Sequence, residues 1–287
     1  GSWTYWESKV LESEIKMGRA IRSEPGISGA KQCYQNTDTP QIDAKDLQTK
    51  ELNDQLRELM LSGKKRVNII NVCGQRYIGT RLYTPEHREM EIEIFGTPGN
   101  DLAAFLFGHK ITVHGNAQDG VGNTMDAGEV IVEGRAGDVL GFSMRGGEIY
   151  IRDGCGYRTA LHMKEYEGKR PVLVVGGISQ DFLGEYMAGG IVIILDLKDE
   201  THKANFMGTG MHGGVIYLRG TVDRSQVGDQ VAISPIDEAD REVLGGYISK
   251  YLERFPDIDK KKDEILNSQF VKLEPRSKRP YGNLYAY

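Results

Sequence analysis

The sequence predicts an all-β fold, a single-stranded parallel β-helix of about seven rungs with helical caps at its two ends. Three observations carry this reading. Met125, Met144, Met163, Met187 and Met211 fall into step, with Leu106 ahead of them in the same register. From Leu106 the next three members lie at i+19, i+38 and i+57, and the last two at i+81 and i+105, so each of the last two intervals carries a five-residue insertion. Around Met144, Met187 and Met211 the chain repeats a Gly before, a Gly pair after, and then a short β-branched run, and the other members keep variants of it. Self-similarity at about 20 residues marks a solenoid, whose units bury a core only by stacking on their neighbours. Glycine, at 36 residues against 9 prolines, concentrates between residues 96 and 220 without a collagen-like triplet.

Residues 1–41 form an N-terminal extension. Val10, Ile15 and Met17 suit a helix over Lys9 to Arg22, and Ser23 to Pro40 is rich in Gly, Ser, Pro, Thr and Asn. Docking on a partner, docking on the main domain, and a partly disordered terminus all stay open. Residues 42–90 form a capping unit. Leu52, Leu56, Leu59 and Met60 lie on one helical face, and Gly63 is placed to stop that helix. Val67 to Val72 follows as a strand, Gly74 as a turn and Tyr77-Ile78 as a second strand. A helix and a hairpin there would cover the open mouth of a solenoid.

Residues 91–233 are the β-helix. Its strands begin at Ile92, Ile111, Val130, Ile149, Val172, Ile191 and Val215. In the earlier ones, alternate positions are aliphatic and polar, which puts one face in and one face out. The methionines then form one interior column, and glycines fill corners that need positive φ or lack room for a Cβ. Residues 234–287 turn helical. Ser234-Pro235-Ile236-Asp237 resembles a helix start, and Leu244, Ile248, Tyr251, Leu252 and Phe255 supply an apolar face. Capping of the last rung is the favoured role for this tail, and docking on a partner is the other.

Composition narrows the function. A formal net charge of −5 argues against general nucleic-acid binding, which needs a basic stripe. No apolar run approaches the roughly 18–20 residues that span a bilayer, and no signal peptide is visible, so a cytoplasmic location is expected. Cys33, Cys73 and Cys155 are too few and too scattered for a disulfide framework or a metal site. Gly208-Thr209-Gly210-Met211-His212-Gly213 matches the dinucleotide fingerprint by letter. A strand follows it rather than a helix, which removes the anion site the fingerprint requires.

His109 and His114 with an acid, and the turn residues Asn100, Asp119, Asp138, Asp181 and Asn205, are conceivable ligand sets; ordinary corner and turn roles are the simpler expectation. Cys155 or His162 would be the first nucleophile or base to test, while stacked Met is better explained as packing than as soft-metal ligation. The expectation is therefore no catalytic, cofactor-binding or metal-binding residue in this chain. The insertions near Lys164 to Pro171 and Lys198 to Phe206 break the repeat with charged residues, and in solenoids such loops commonly gather on the binding face.

The repeat Gly141-Phe142-Ser143-Met144-Arg145-Gly146-Gly147 resembles the GXGXG β-helix domain at the C-terminus of the glutamate synthase large subunit. Three further segments fit the free-standing version found in archaeal-type split glutamate synthases. They are Ile69 to Gly79, His114 to Asp119, and Gly184 to Gly190. Coverage runs from about residue 42 to Lys272. The resemblance implies a right-handed β-helix, a role in glutamate biosynthesis and no catalytic residues of its own. It further implies partner subunits that supply a glutamine amidotransferase activity and an FMN/iron–sulfur synthase activity. The repeat is also similar to one subunit each of formylmethanofuran dehydrogenase and N-methylglutamate synthase.

Overall fold

Short aliphatic strands that recur at a constant step bury one face by stacking, and the computed structural model shows that stack over residues 39–87 and 89–277, the residues it describes. The helix expected over Lys9 to Arg22 lies outside them. The described residues belong to one compact unit that begins at Thr39. In chain order its elements are β1 (Gln41–Asp43), α1 (Thr49–Leu61), β2 (Arg66–Cys73), β3 (Glu91–Thr97) and β4 (Phe107–His114). Then come β5 (Ala127–Val132), β6 (Glu148–Ile151), β7 (Val172–Val175), β8 (Ala188–Ile194) and β9 (Gly213–Arg219). The chain closes with β10 (Val231–Pro235), α2 (Glu238–Arg254), α3 (Lys262–Leu266) and β11 (Phe270–Pro275).

All eleven strands form one sheet, with β1 to β9 in sequence order and then β11 and β10. The pairings from β1 to β9 are parallel, whereas β11 runs antiparallel to both β9 and β10. The result is a β-solenoid of about seven turns. No helix among the described residues is long and apolar enough to cross a membrane.

One interior column runs through Ile92, Ile111, Val130, Ile149, Leu173, Val192 and Ile216, each opposite the next in register. These residues, Leu106 and the five methionines are all buried in one continuous core. Burial of each such side chain contributes roughly 1.5–3 kcal/mol. The expected alignment of Val172 with Ile149 is off by one residue: Leu173 faces Ile149, and Val172 faces Glu148. The same correction places Val192 and Ile216, rather than Ile191 and Val215, on the inner face.

A one-residue shift exchanges the two faces of a strand. Val172, Val174, Ile191 and Ile193 accordingly point outward, into a second apolar cluster with Leu244, Ile248 and Tyr251 of α2 and Phe255 just after it. The tail helix therefore covers the flank of the later strands, while the last rung is closed by the antiparallel strand β11.

At the other end the expected hairpin is absent. Residues 77–80 form turns, and β2 pairs in parallel with β1 and β3, so it is a further strand of the ladder. α1 is tied to the segment after β2 by polar contacts. Thr49 Oγ1 accepts from the Arg76 amide at 3.1 Å, and Asn53 Oδ1 accepts from the Gly79 amide at 3.2 Å. Leu52, Leu56 and Met60 on its buried face join the same core.

Candidate functional surfaces

Each turn is built on three left-handed residues at alternate positions ahead of the Met column. They are Val139, Gly141 and Ser143 in one turn, Arg158, Ala160 and His162 in the next, and Phe182, Gly184 and Tyr186 after that. The middle position faces the core: a Cβ on Gly184 would lie 2.5 Å from Ile216 Cδ1. The outer two positions carry larger side chains, although the left-handed region costs a non-glycine residue about 1 kcal/mol.

These outer side chains form an exposed edge. Phe182 stacks on Phe206 with ring centroids 4.9 Å apart, and His162 stacks on Tyr186 at 5.3 Å. Arg158 lies 4.3 Å over the Phe182 ring and pairs with Glu185. Phe206 and Tyr186 remain half exposed. Periodicity locates the interior, but it carries no sign that one outer edge is aromatic.

The acidic turn ladder has a structural job. Asn100 Oδ1 accepts from the Asp119 amide at 3.2 Å, Asp119 Oδ1 from the Asp138 amide at 2.7 Å, and Asp138 Oδ1 from the Tyr157 amide at 2.8 Å. Asp181 does the same for the Asn205 amide at 2.8 Å. Each side chain thus bonds the following turn and uses an oxygen that a cation would need. No group of three or more His, Cys, Asp or Glu among the described residues is placed to hold a metal ion.

His109 and His114 do not meet at one site. His109 is fully buried; its Nδ1 accepts from the Met90 amide at 3.1 Å, and its Nε2–H donates to the Leu82 carbonyl at 2.9 Å. That pattern needs the neutral ring, and burial pushes its pKa down. His114 instead sits between two carboxylates that spacing does not assign to it. Nε2 bonds Glu93, Nδ1 bonds Glu133 at 2.8 Å, and the ring stacks on Phe95 at 4.5 Å.

Only the imidazolium donates from both nitrogens. The hydrogen bond to Glu93, followed by that to Glu133, raises the His114 pKa against the opposing effect of burial. A raised pKa in the folded state means that this stabilisation is complete below the unfolded value of 6.5 and is lost as pH climbs through the folded one. With both carboxylates more than a third exposed, screening limits the effect to at most about 1 kcal/mol. Wild-type Tm is therefore expected to fall relative to His114→Phe as pH rises from 6 to 9; parallel Tm curves would refute the clamp.

Cys155 is fully buried, and burial pushes its thiol up to about 12, so it remains protonated at neutral pH. Its hydrogen-bonding neighbour is the Thr159 hydroxyl at 3.2 Å. His162 is committed to the exposed aromatic edge. Cys73 is exposed, and Cys33 lies outside the described residues. At Gly208 to Gly213 a turn leads into β9, with Tyr186 packed against Gly210, so the fingerprint spacing belongs to the repeat.

The two insertions do not share a face. The first folds into a tight hairpin in which Tyr166 bridges Lys169 and Glu167-Gly168 both take positive φ. Its Lys169 reaches back to Asp126 and lies 4.9 Å from the Phe107 ring, beside the starts of β4 and β5. The second insertion follows the end of β8. Asp196 accepts from the amides of Glu200 and Thr201 at 2.9 and 3.0 Å, and His202 Nε2–H donates to the Arg219 carbonyl at 2.6 Å. Glu165 and Arg170 of the first border one cleft, Lys198 and Lys203 of the second another. The first insertion runs up to the start of β7 and the second follows the end of β8, so they lie at opposite ends of the strands.

Comparison with known proteins gives three findings. The family model described as GXGXG motif matches residues 43–276. An uncharacterized protein of Methanocaldococcus jannaschii is 47% identical over 251 residues, which is 85% of this chain and 95% of that protein. Among solved structures, a chain of the formyltransferase/hydrolase complex of Methylorubrum extorquens, determined with methylofuran, superposes with a TM-score of 0.53 at 16% identity. The match covers 81% of this chain and 89% of that one. At that identity the similarity speaks for the fold alone.

Proposed function

This chain belongs to the GXGXG motif family, and from that premise we propose that it is a non-catalytic scaffold subunit of a glutamate synthase-like complex. Its partners in this reading are a glutamine amidotransferase-like subunit and an FMN/iron–sulfur synthase-like subunit. The scaffold holds them in register so that ammonia released by one reaches the other without loss to solvent.

The observation that supports this most is how the repeat uses its polar and soft side chains. The methionines are packed, the acidic ladder joins turn to turn, and Cys155 is a buried thiol. What the turns present outward is an aromatic edge with an arginine, a composition suited to protein contact. A rigid parallel ladder also presents that edge with little internal freedom, as a scaffold requires.

Purification of the chain from its native source under gentle salt, followed by mass spectrometry, tests the reading. The expected result is co-elution with an amidotransferase-like chain and an FMN- and iron–sulfur-containing chain. Recovery with formyl-transfer subunits instead would move it to the other complex type that shares this repeat. Elution alone at native abundance would overturn the scaffold role.

A further inference from the structure

We infer that the second insertion completes a binding site for a small organic acid with two anionic groups, either two carboxylates or a carboxylate and a phosphate. The inference stands apart from the scaffold role and does not depend on it. A cleft of about 760 Å³ opens at the strand ends on the side of the insertion. Its walls come from four successive turns: Arg135 follows β5, Gly154 follows β6, Ile178 follows β7, and Lys198 to Lys203 follow β8. The connection between α2 and α3, at Ile258 to Lys260, closes the far side.

The turn stacking makes the space. Arg135, Gly154 and Ile178 occupy one column, since Ala136 donates to the Gly154 carbonyl as Cys155 does to that of Ile178. Glycine at the middle position leaves room beside the Arg135 guanidinium, whose Nη2 lies 3.8 Å from where a Cβ on Gly154 would sit. The insertion that bears the two lysines is held in place from within. Asp196 and His202 are buried and bonded as described above, and Arg219 donates to the Asp196 carbonyl at 2.9 Å. A five-residue interruption fixed by this many polar contacts is a built wall.

The charges define the ligand. Arg152 and Lys260 are satisfied by Asp257 and Asp153, and by Asp199 and Glu264. Arg135, Lys198 and Lys203 line the same cleft with no carboxylate at ion-pair distance among the described residues. Cations that line one cleft from two turns three strands apart, without internal ion-pair partners, suit an anion with an acid group at each end, each taking charge-assisted hydrogen bonds. Glu200 and Asp259, also unpaired, face the cleft as well. They disfavour a ligand that is anionic all round and accept one with a hydroxyl or ammonium opposite its acid groups. Leu197 and Ile258 leave apolar surface for a short carbon chain between the two ends.

Isothermal titration of the full chain with succinate, O-phosphoserine and inorganic phosphate tests the site. Saturable binding of succinate or O-phosphoserine is expected, weakened at least about tenfold in the Arg135→Ser/Lys203→Ser double variant by loss of charged hydrogen bonds. Both side chains are exposed, so the variant should unfold at the wild-type temperature, which circular dichroism checks. Tighter binding of O-phosphoserine would identify the phosphate class, and tighter binding of succinate the dicarboxylate class. No saturation by succinate or O-phosphoserine below about 10 mM, whether or not inorganic phosphate binds, overturns the proposal, because that is weaker than a built site requires. Equal affinity of wild type and double variant overturns it too.

Discussion

Met144→Asp is expected to destabilise the protein by at least about 4 kcal/mol, enough to leave most of the chain unfolded or insoluble. Met144 is fully buried between Met125 and Met163 in the interior column. A carboxylate placed there finds no spare donor. The Met144 amide already bonds the Gly141 carbonyl at 3.1 Å, its own carbonyl accepts from Lys164 at 3.0 Å, and the Arg145 amide is taken by Met125. Nor can it retreat, since Gly147 is closed over the column: a Cβ there would lie 2.6 Å from Met125 Cε. The acid must therefore stay protonated or unfold its turn. Met144→Leu keeps volume and polarity and should cost less than about 1.5 kcal/mol. Urea unfolding of both variants measures the difference; equal midpoints for Asp and Leu would mean that position 144 is not inside.

Legibility from sequence follows the number of faces that water sees. Strands β3 and β4 keep polar residues on their outer face, so their alternation survives and their register is legible from Ile92 and Ile111. Val172-Leu173-Val174-Val175 is buried on both faces, and alternation there says nothing about direction. The methionine step holds the missing information. Ile111, Val130 and Ile149 each lie at i+5 from Leu106, Met125 and Met144, and the same offset from Met187 and Met211 gives Val192 and Ile216. The continuous apolar strands are themselves the sign that something covers the outer face, and among the described residues the apolar face of the tail helix is what covers it.

The first turn escapes the repeat for a related reason. Leu82 is buried one longer step ahead of Leu106, and Tyr77, Gly79 and Arg81 carry the same three positive φ values as later turns. A column that starts at Leu106 hides this turn and makes Tyr77-Ile78 look like half a hairpin. Site features are legible in kind rather than in partner. Asn and Asp are recognisable as turn residues, but that each bonds the following turn depends on stacking, which spacing alone does not reveal. Glu93, His114 and Glu133 come together from three consecutive turns, and the cleft above the second insertion draws on four. Both are products of the solenoid's pitch.

Tyr251→Ala should cost about 3–5 kcal/mol and, more tellingly, free α2 from the sheet while the interior column stays folded. Tyr251 is fully buried, packs edge-on against Phe255 at 4.8 Å and donates its hydroxyl to the Arg152 carbonyl at 2.7 Å. The sheet is shaped for it: a Cβ at Gly176 would lie 1.9 Å from that hydroxyl, so the glycine is where the tyrosine enters. Other ties surround it. Arg254 pairs with Glu129 and covers the Tyr150 ring at 4.5 Å, Lys250 pairs with Glu148 at 2.8 Å, and Tyr217 donates to Asp240 at 2.6 Å. These are partly solvated or lie toward the helix ends, and none replaces the buried contact. Undocking would expose Val172, Val174, Ile191 and Ile193 together, a patch that invites association. Hydrogen exchange should therefore show protection lost over Glu238–Arg254 but retained in β3 and β4, with concentration-dependent aggregation. Tyr251→Phe keeps the ring and should lose only about 1 kcal/mol for the hydrogen bond. If α2 keeps its protection in the alanine variant, the polar ties rather than the buried face hold the helix, and the outer cluster is a consequence of docking instead of its cause.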